Sequence, residues 1–447
     1  SEVYCKGDIL DYIQRKKVFE DGKTFVDMNL KESPATVVSA FQALLRSTSG
    51  NPSKSQLKDF TKQYFDGPGT EFEPWDPEDY TRLDSYWVIK GLLICEMNTT
   101  VRGMLENFSV LVNKFGFIPN GGRIYFSGRS QPPFFIPMVY EYYKATQDLE
   151  FIRNISSSME EEYLFWKVNR TTDVMKNGDV FQMNRYSSAV NTPRPESYLE
   201  DIETAENLTQ EEKRDLFSDI SSACESGWDF SSRWLSRDTE SLSLNTLTTR
   251  DIIPVDLNSL LYLNEKILSE FFRLLGNDSK SSMYLNYSHV RKEAIEAVFW
   301  NEERGIWQDY SIATNASRDY FFPSNLFPLF VDSVDDKTTK ITKVLEYLDY
   351  LDIINYDGGI PTSLLASNQQ WDFPNGWPPL QQTFIWALEI SENAKASSIA
   401  FNVTKKWINS NWIGWNRTRN MFEKYSVVHP GSRGGGGEYG VQVYMVS

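Results

Sequence analysis

Asp229 has the surroundings of a general acid. It lies between Trp228 and Phe230, directly after a predicted helix ends at Gly227. Apolar neighbours disfavour the charged form of a carboxyl group, so such a residue can hold a proton near neutral pH, as a general acid must. Two structural alternatives are open: Asp229 could cap a helix, or it could form an ion pair with Arg233.

Glu423 offers a second carboxylate in an aromatic setting, beside Lys424. Glu438 follows it behind four glycines, Gly434–Gly437, which predict a loop whose backbone can approach a ligand closely. The absence of a following Lys-Ser/Thr pair argues against a phosphate-binding loop. Taken alone, Glu423 favours a surface ion pair with Lys424 or another lysine. Its combination with Asp229 favours paired acid and base catalysis.

The run from Gln369 to Pro379 combines two tryptophans, an acid, amides and a Pro-Pro pair in eleven residues. Indole faces can cover the C–H face of a pyranose, while Asp372 and the amides can bind its hydroxyl groups. This composition indicates a sugar site. The structural alternative is a buried turn in which the tryptophans pack and the prolines mark the boundary of a helix.

Arginines recur in three short segments rich in glycine or proline, at 120–123, 128–133 and 193–197. Arginine forks can donate to adjacent sugar hydroxyls, and their charge keeps a nearby carboxylate ionised. Taken singly, each segment also fits a surface turn with an ion pair. Together they extend the prediction of a carbohydrate cleft.

The composition is that of a globular, acidic protein. The chain has 447 residues, 40% hydrophobic content, 14% aromatic content and a formal net charge of −16, which allows one or two large cores. Because this charge would repel a phosphate backbone, we expect no nucleic-acid partner. The three cysteines form no Cys-x-x-Cys pair and allow one disulfide at most. Two histidines are too few for a His-rich metal centre or a dependable Ser-His-Asp triad.

Glycosylation signals predict a secretory route. Asn-x-Ser/Thr acceptors are about twice as frequent as chance would give, at Asn98, Asn107, Asn154, Asn169, Asn207, Asn277, Asn286, Asn315, Asn402 and Asn416. Asn98 and Asn402 fall in predicted helices and could stay unmodified. No stretch of 18 apolar residues is present, and Ser1 does not open a signal peptide. We therefore expect a mature, secreted form, with membrane attachment only through an anchor outside this chain.

Hydrophobic spacing predicts a mostly helical chain. Large apolar residues recur at three- and four-residue intervals over 256–275, where Gly276 ends the pattern. A helix over 288–301 precedes a hairpin-like loop at 302–310. Further helices are predicted over 86–114, 132–148, 153–168, 209–224, 334–350, 377–391 and 393–410. Alternating strands are scarce and no linker divides the chain, so we predict an all-α toroid of helix pairs with one catalytic domain.

Seven of these segments resemble the trehalases of glycoside hydrolase family 37, and they follow that family's order along the chain. They are Pro119–Arg123, Arg129–Pro133, Arg194–Ser197, Glu225–Asp229, Gln369–Pro379, Glu423–Tyr425 and Gly434–Tyr439. The residues Tyr4-Cys5 and Thr24–Met28 resemble animal secreted trehalases in particular.

The resemblance implies an (α/α)6 barrel with long loops over the active site. It also implies hydrolysis of α,α-trehalose to two glucose molecules with inversion at the attacked carbon. In the family, the residue matching Asp229 is the general acid and the residue matching Glu423 is the general base. In inverting enzymes the two carboxyl groups lie roughly 6.5–9.5 Å apart, which leaves room for a water molecule.

The resemblance also implies a set of substrate contacts. They are Asp84, Asn120, Arg129, Ser130, Gln131, Arg194, Pro195, Glu196, Gly227 and Glu438. It implies no metal ion and no cofactor, and we expect a monomer whose partner is the disaccharide. Residues 1–80 are predicted to form an N-terminal helical extension packed on the barrel, and residues 81–447 the catalytic domain.

Two departures from the family pattern fall inside the chain. In place of Pro-Gly-Gly-Arg-Phe and Tyr-Tyr-Trp-Asp-Ser-Tyr, the chain runs from Glu73–Pro77 through Arg82-Leu83 into Asp84–Trp87. After Glu438-Tyr439 the family continues Gln-Glu-Gly-Phe-Gly-Trp-Thr-Asn-Gly, whereas the chain reads Gly440–Met445. We expect loops to be missing from this numbering near 81–83 and 440–443. A protein that truly lacks them would be without one arginine and a lid over the cleft.

Two other functions are open at this point. The chain could be a toroid glycosidase or phosphorylase for another α-linked disaccharide, or a catalytically inactive sugar-binding descendant of a trehalase. The presence of both Asp229 and Glu423 speaks against the inactive descendant.

Overall fold

The computed structural model describes residues 2–67, 82–237, 241–438 and 443–445. The chain divides into two compact units. Unit 1 comprises Ser1–Thr81, Pro119–Ser130 and Ser188–Ser221, and unit 2 comprises Arg82–Ile118, Gln131–Ser187 and Ser222–Ser447. The first unit thus takes in two segments from the region that the sequence assigned to the catalytic domain. The predicted division at residue 80 stays a prediction, and residues 81 and 439–442 lie outside the described residues.

Helices dominate the described part of the chain. They are α1 (Asp8–Arg15), α2 (Lys23–Val26), α3 (Pro34–Ser47), α4 (Lys54–Tyr64), α5 (Arg82–Ile94), α6 (Asn98–Phe115), α7 (Phe135–Thr146), α8 (Leu149–Asn169), α9 (Tyr198–Thr204), α10 (Gln210–Ser226), α11 (Val255–Leu274), α12 (Asp278–Phe299), α13 (Phe327–Phe330), α14 (Lys337–Tyr350), α15 (Pro378–Glu389) and α16 (Ala394–Thr418).

The strands are short and pair antiparallel. They are β1 (Thr171–Lys176), β2 (Asp179–Asn184), β3 (Ile252–Ile253), β4 (Trp300–Asn301), β5 (Ile306–Trp307), β6 (Tyr310–Ser311), β7 (Ala316–Ser317), β8 (Asn375–Gly376), β9 (Asn420–Phe422), β10 (Tyr425–Ser426) and β11 (Val443–Met445). The pairs are β1 with β2, β3 with β6, β6 with β7, β4 with β5, β8 with β10, and β9 with β11.

Unit 1 is built on an aromatic core. A capping box formed by Ser53 and Gln56 begins α4, which then buries Leu57 and Phe60. Phe41 on α3 is fully buried and packs edge-on against Tyr12 and Phe60, with ring centroids 5.9 and 5.2 Å apart. Such pairs add stability beyond the apolar area that they bury.

Unit 2 is a succession of packed helices. α5, α7, α11, α13 and α15 contact one another in that order, and α6, α8, α12 and α16 pack beside them. The Trp87 indole N–H on α5 donates to Gln382 Oε1 on α15 at 3.2 Å, which joins the first helix of this succession to the last. α11 is buried nearly all round, as expected of an inner helix, whereas α12 buries mainly one face.

The helix predictions are largely confirmed, and the differences have local causes. The helix predicted over 86–114 is two helices, because the chain turns at Glu96, which has a φ of 59°. α12 begins well before the predicted start at 288, because the Asn277 side chain caps it by accepting from the backbone N–H of Lys280. The hairpin of β4 and β5 was predicted, whereas the hairpin of β1 and β2 was not.

The cysteines Cys5, Cys95 and Cys224 are all free thiols. Across the described helices, none combines the length and apolar character needed to cross a bilayer.

Replacing Phe41 by Ala should lower the free energy of unfolding by about 3–5 kcal/mol, because it leaves a cavity in the core of unit 1. The matched control is Phe401→Ala on α16, where the side chain is 64% exposed and the loss should stay near 0.5 kcal/mol. Urea titration followed by far-UV circular dichroism measures both. Equal unfolding midpoints for the two variants would contradict this account of the core.

Candidate active site

Asp229 follows the C-terminus of α10. Gly227 has a φ of 77°, in the left-handed region that only glycine adopts without strain, and this residue turns the chain out of the helix. Asp229 is partly exposed, while Trp228 and Phe230 on either side of it are buried. This burial concerns the flanking side chains, and the apolar setting of the Asp229 carboxyl group stays a prediction. Nearby, the buried Gln131 donates its amide N–H to the Cys224 carbonyl at 3.2 Å.

Arg233 has other partners than Asp229. Its guanidinium group is fully buried and donates to the carboxylates of Asp256, at 2.7 and 2.8 Å, and Asp309, at 2.7 and 3.0 Å. Burial disfavours the charge of Arg233, but the two aspartates outweigh this and raise its pKa above the ordinary value. The suggested Asp229–Arg233 ion pair is wrong, because Asp256 and Asp309 take the guanidinium donors.

Asp372, in the run from Gln369 to Pro379, does not meet the predicted role of binding sugar hydroxyls. It is fully buried and accepts from Ser231 Oγ at 3.1 Å, from Ser232 N and Oγ at 2.6 and 2.7 Å, from Ser363 Oγ at 2.7 Å, and from Ser367. Burial raises its pKa, although hydrogen bonds from the serines act in the opposite direction. Asp372 thus ties its own loop to the segment that follows Asp229.

The tryptophans of the same run cover each other rather than an open cleft. Trp371 and Trp377 are stacked with ring centroids 3.8 Å apart and an interplanar angle of 3°, and Trp228 stacks on Trp371 at 5.3 Å. All three indoles are buried. The prediction that Trp371 and Trp377 cover a pyranose is therefore wrong, and the buried-turn alternative describes them.

Glu423 lies between β9 and β10, and β10 pairs with β8 of the tryptophan-bearing run. Its side chain is 25% exposed, whereas that of Lys424 is completely buried. The two charged groups are 3.6 Å apart. The expected ion pair exists, but it is not a surface pair, because the ammonium group is inside the protein.

Gln370 connects the segments of Asp229 and Glu423. Its side-chain N–H donates to the Asp229 carbonyl, and its Oε1 accepts from Lys424 Nζ at 2.7 Å. Burial lowers the pKa of Lys424, while the negative charges of Glu423 and Asp229 oppose that shift. The two candidate catalytic residues are therefore linked within unit 2 through an amide and an ammonium group.

Most of the glycine run packs against protein, so it does not leave space for a ligand along its whole length. Gly434 N donates to the Lys424 carbonyl at 2.8 Å, Gly435 N to Asn375 Oδ1 at 3.0 Å, and Gly437 N to the Asn368 carbonyl at 3.0 Å. A Cβ on Gly434 would collide with Asn375 Oδ1, whereas one on Gly435 would meet open space. Glu438, at the end of the run, is partly exposed.

Unit 1 brings together another set of predicted residues. Arg129 is buried and donates to Asn120 Oδ1 at 2.7 Å and to Glu196 Oε1 at 2.6 Å. Its guanidinium group lies over the ring of Phe126, 5.0 Å from the centroid. This arrangement fixes the position of the arginine.

Glu196 follows Pro195, the first residue of a 3₁₀ turn. Burial opposes its charge, but the guanidinium groups of Arg129 and Arg194 outweigh burial and lower its pKa. Arg194 itself pairs with Asp201 at 2.6 Å. Among the described residues, none donates to the second carboxylate oxygen of Glu196, Oε2, although this atom is buried. An ionised oxygen without a donor suits a ligand hydroxyl.

The remaining predicted residues are placed as follows. Ser130 is fully buried, and Gly227 is buried at the end of α10. Asp84 lies in the first turn of α5 and is exposed. Their contacts with substrate stay predictions, as do those of Gln131 and Glu438.

Two residues at the centre of this arrangement were not predicted. The sequence predicts Gln370 only as one of the amides of its run, and Lys424 only as a surface partner of Glu423. The available signal was the position of Lys424 between the large apolar residues Phe422 and Tyr425, since a lysine in an apolar segment needs a buried partner.

Comparison with known proteins identifies the family. A family model described as Trehalase matches residues 17–83 and 80–443. The chain belongs to the trehalase family. A curated trehalase from Apis mellifera is 41% identical over 99% of this chain and 82% of its own length, and one from Homo sapiens is 36% identical over 99% and 86%.

A solved neutral trehalase from Saccharomyces cerevisiae has a TM-score of 0.65 and 21% identity, covering 79% of this chain and 69% of that chain. This likeness confirms the predicted all-α fold, an (α/α)6 barrel. The two matched segments of the trehalase model meet at 80–83, where the first departure was found. The alignment with the Apis mellifera trehalase spans 510 positions, so that relative has residues with no counterpart among the 447 here.

Substituting Gly434 by Ala should lower the free energy of unfolding by about 1–3 kcal/mol, since the added methyl group pushes Asn375 and Lys424 apart. It should also lower the rate of catalysis, because the backbone of Lys424 moves. Gly435→Ala is the control, and it should leave both quantities close to those of the wild type. Thermal unfolding and glucose release measure the two effects. An equal response of the two variants would show that packing at Gly434 is unimportant.

Proposed function

We propose that this chain hydrolyses α,α-trehalose to two molecules of glucose with inversion at the attacked anomeric carbon. Asp229 acts as general acid and protonates the glycosidic oxygen. Glu423 acts as general base and takes a proton from the attacking water. Membership of the trehalase family supports the substrate and the reaction.

The observation that carries the assignment of roles is the path from Asp229 through Gln370 and Lys424 to Glu423. Two carboxyl groups that must act on opposite sides of one bond require a fixed mutual position. Both are partly exposed, so water and substrate can reach them. Glu423 has a cation beside it, and Asp229 is flanked in sequence by Trp228 and Phe230; these settings suit an ionised base and a protonated acid.

We propose that the substrate contacts implied by the family resemblance are made by side-chain or backbone groups of ten residues. In unit 1 these are Asn120, Arg129, Ser130, Arg194, Pro195 and Glu196, and in unit 2 they are Asp84, Gln131, Gly227 and Glu438. The support in unit 1 is that Arg129 and Glu196 are held by buried hydrogen bonds before any ligand arrives and that Glu196 keeps an unused oxygen. Such pre-organisation lowers the entropy that binding must cost.

Replacing Asp229 by Asn or Glu423 by Gln should lower kcat by about 10²–10⁴-fold, because each change removes a proton transfer in the transition state. Asp335→Asn is the matched control, since that carboxylate is 80% exposed and pairs with Lys292 on the surface. Glucose release from trehalose, with maltose and sucrose as comparison substrates, is the measurement. Equal rates for all variants would refute the assignment of acid and base, and faster turnover of maltose or sucrose would refute the substrate.

Inversion has a direct signature. Attack at one anomeric carbon of α,α-trehalose should release one α-glucose and one β-glucose, whereas retention would give two α-glucose molecules. Proton NMR during the first minutes, before mutarotation brings the anomers to equilibrium, distinguishes inversion from retention. A product that is α-glucose alone would overturn the inverting mechanism.

We further propose that the protein is a secreted, N-glycosylated monomer. Eight acceptor asparagines are exposed in the structure: Asn154, Asn169, Asn207, Asn277, Asn286, Asn315, Asn402 and Asn416. Asn402, which the helix pattern left in doubt, is among them. Protein from a secretory host should lose mass on treatment with an N-glycosidase and should elute as one chain in size-exclusion chromatography with light scattering. An unchanged mass would contradict N-glycosylation, and elution as a dimer would contradict the monomer.

A further inference from the structure

Lys424 is a buried cation whose surroundings belong to the two candidate catalytic segments. Its ammonium group is 3.6 Å from Glu423 Oε2, 2.7 Å from Gln370 Oε1 and 5.0 Å from the centre of the Trp377 ring. Its side chain has no exposed surface. Removing an ammonium group from water is costly, so a lysine persists there only with compensating partners.

Gln370 can adopt only one orientation in this arrangement. The backbone carbonyl of Asp229 can only accept, so Gln370 Nε2 must face it. The Lys424 ammonium group can only donate, so Gln370 Oε1 must face that group. The backbone carbonyl of Gln370 accepts from Trp377 Nε1 at 2.8 Å and from Asn375 Nδ2 at 3.0 Å. Gln370 is thus held at both ends of its side-chain amide and at its backbone carbonyl, and it has little freedom to move.

We propose that Lys424 and Gln370 are positioning residues of the hydrolytic site, which hold the Asp229 and Glu423 segments in register and keep Glu423 ionised in the resting enzyme. This inference rests on the proposed function. Neither residue is assigned to touch the sugar. Their effect is exerted through the two carboxyl groups.

In the proposed reaction, negative charge moves from Glu423 to Asp229, and Lys424 interacts with both groups. Asp229 gives its proton to the glycosidic oxygen as the C–O bond breaks, and becomes a carboxylate. Water forms the new C–O bond and gives its proton to Glu423, which becomes neutral. One cation that interacts with both groups can stabilise the charge before and after the step without itself exchanging a proton.

Several charged or titratable groups lie on the elements packed around Lys424. Glu423 is beside it, and Asp229 is across the Gln370 amide. Arg433 lies on the segment bridged to Tyr425 and is exposed. Glu438 follows the glycine run, and Asp372 is enclosed by serines. Because the buried Lys424 ammonium group lies 3.6 Å from Glu423, its removal should change the pKa of Glu423 more than that of the other groups.

The test compares Lys424→Met with Gln370→Glu. Methionine keeps the length and removes the charge. Glutamate keeps the shape, places a negative charge beside the ammonium group and removes the N–H that donates to the Asp229 backbone carbonyl. Both should raise the pKa of the general base, since an opposite charge within about 4–6 Å lowers a carboxyl pKa by about 1–3 units. The acidic limb of the kcat/KM profile should therefore move to higher pH by about one unit, with kcat falling on the order of tenfold and KM changing less.

The control is Lys176→Met. Lys176 is partly buried, whereas Lys424 is completely buried. Lys176 donates to the Val298 carbonyl at 2.6 Å and lies 5.3 Å from the Tyr310 ring centre, but it belongs to β1 and not to the candidate site. Its removal should leave the pH profile in place. Circular dichroism establishes that each variant is folded, and Gln370→Glu decides the question if Lys424→Met does not fold.

The outcomes distinguish a failure of the proposed function from a failure of the role inferred for Lys424 and Gln370. A wild type that releases no glucose from trehalose would contradict the proposed function and this inference with it. An active wild type with an unmoved acidic limb in the folded variants would contradict the inference alone and leave Lys424 a structural residue. A shift of the same size in Lys176→Met would show that the effect is not specific to the site.

Discussion

The loop from Ser367 to Trp377 connects the segments of Asp229 and Glu423 within unit 2. Its backbone N–H at Trp371 donates to the Phe230 carbonyl at 3.1 Å, and its strand β8 pairs with β10 immediately after Glu423. Buried backbone groups must find partners within the protein. A movement of this loop would therefore break hydrogen bonds on the side of Asp229 and on the side of Glu423 at once.

Two buried charges stabilise this region by different means. Arg233 is neutralised by Asp256 and Asp309, and its guanidinium group lies 4.6 Å from the centre of the Trp228 ring. Asp372 is held by hydroxyl and amide donors, which satisfy a carboxylate less completely than a cation would, and burial accordingly raises its pKa. Both groups depend on exact partner positions, so they select one arrangement of the loops at a cost in desolvation.

Periodicity predicted the helical architecture well and the loops poorly. The pattern over 256–275 matches α11 almost residue for residue, because an inner helix is apolar on most of its surface. The hairpin of β1 and β2 was overlooked, although Asn177-Gly178 at its turn, with φ values of 55° and 90°, is a strong hairpin signal. The pairing of Arg233 with two aspartates far away in sequence follows from tertiary contacts that no local pattern contains.

The candidate site shows the same division. Asp229 and Glu423 could be proposed as acid and base from residue type and from the family's motif order. The composition of the run containing Asp372 and Trp371 was misleading, because residues that can bind a sugar are equally able to build a buried hydrogen-bonded loop. Side-chain chemistry alone cannot tell whether a polar group faces a ligand or another part of the protein, since that depends on partners such as Ser231 and Ser363.

Because the stacked indoles Trp371 and Trp377 are occupied with each other, they offer no apolar platform to a pyranose ring. Within unit 2, Glu423 and Glu438 are partly exposed carboxylates. Recognition built on such groups depends on the presence of each substrate hydroxyl, because a missing hydroxyl leaves a desolvated charge without a partner. This favours a small polyhydroxylated disaccharide over a ligand selected by apolar shape.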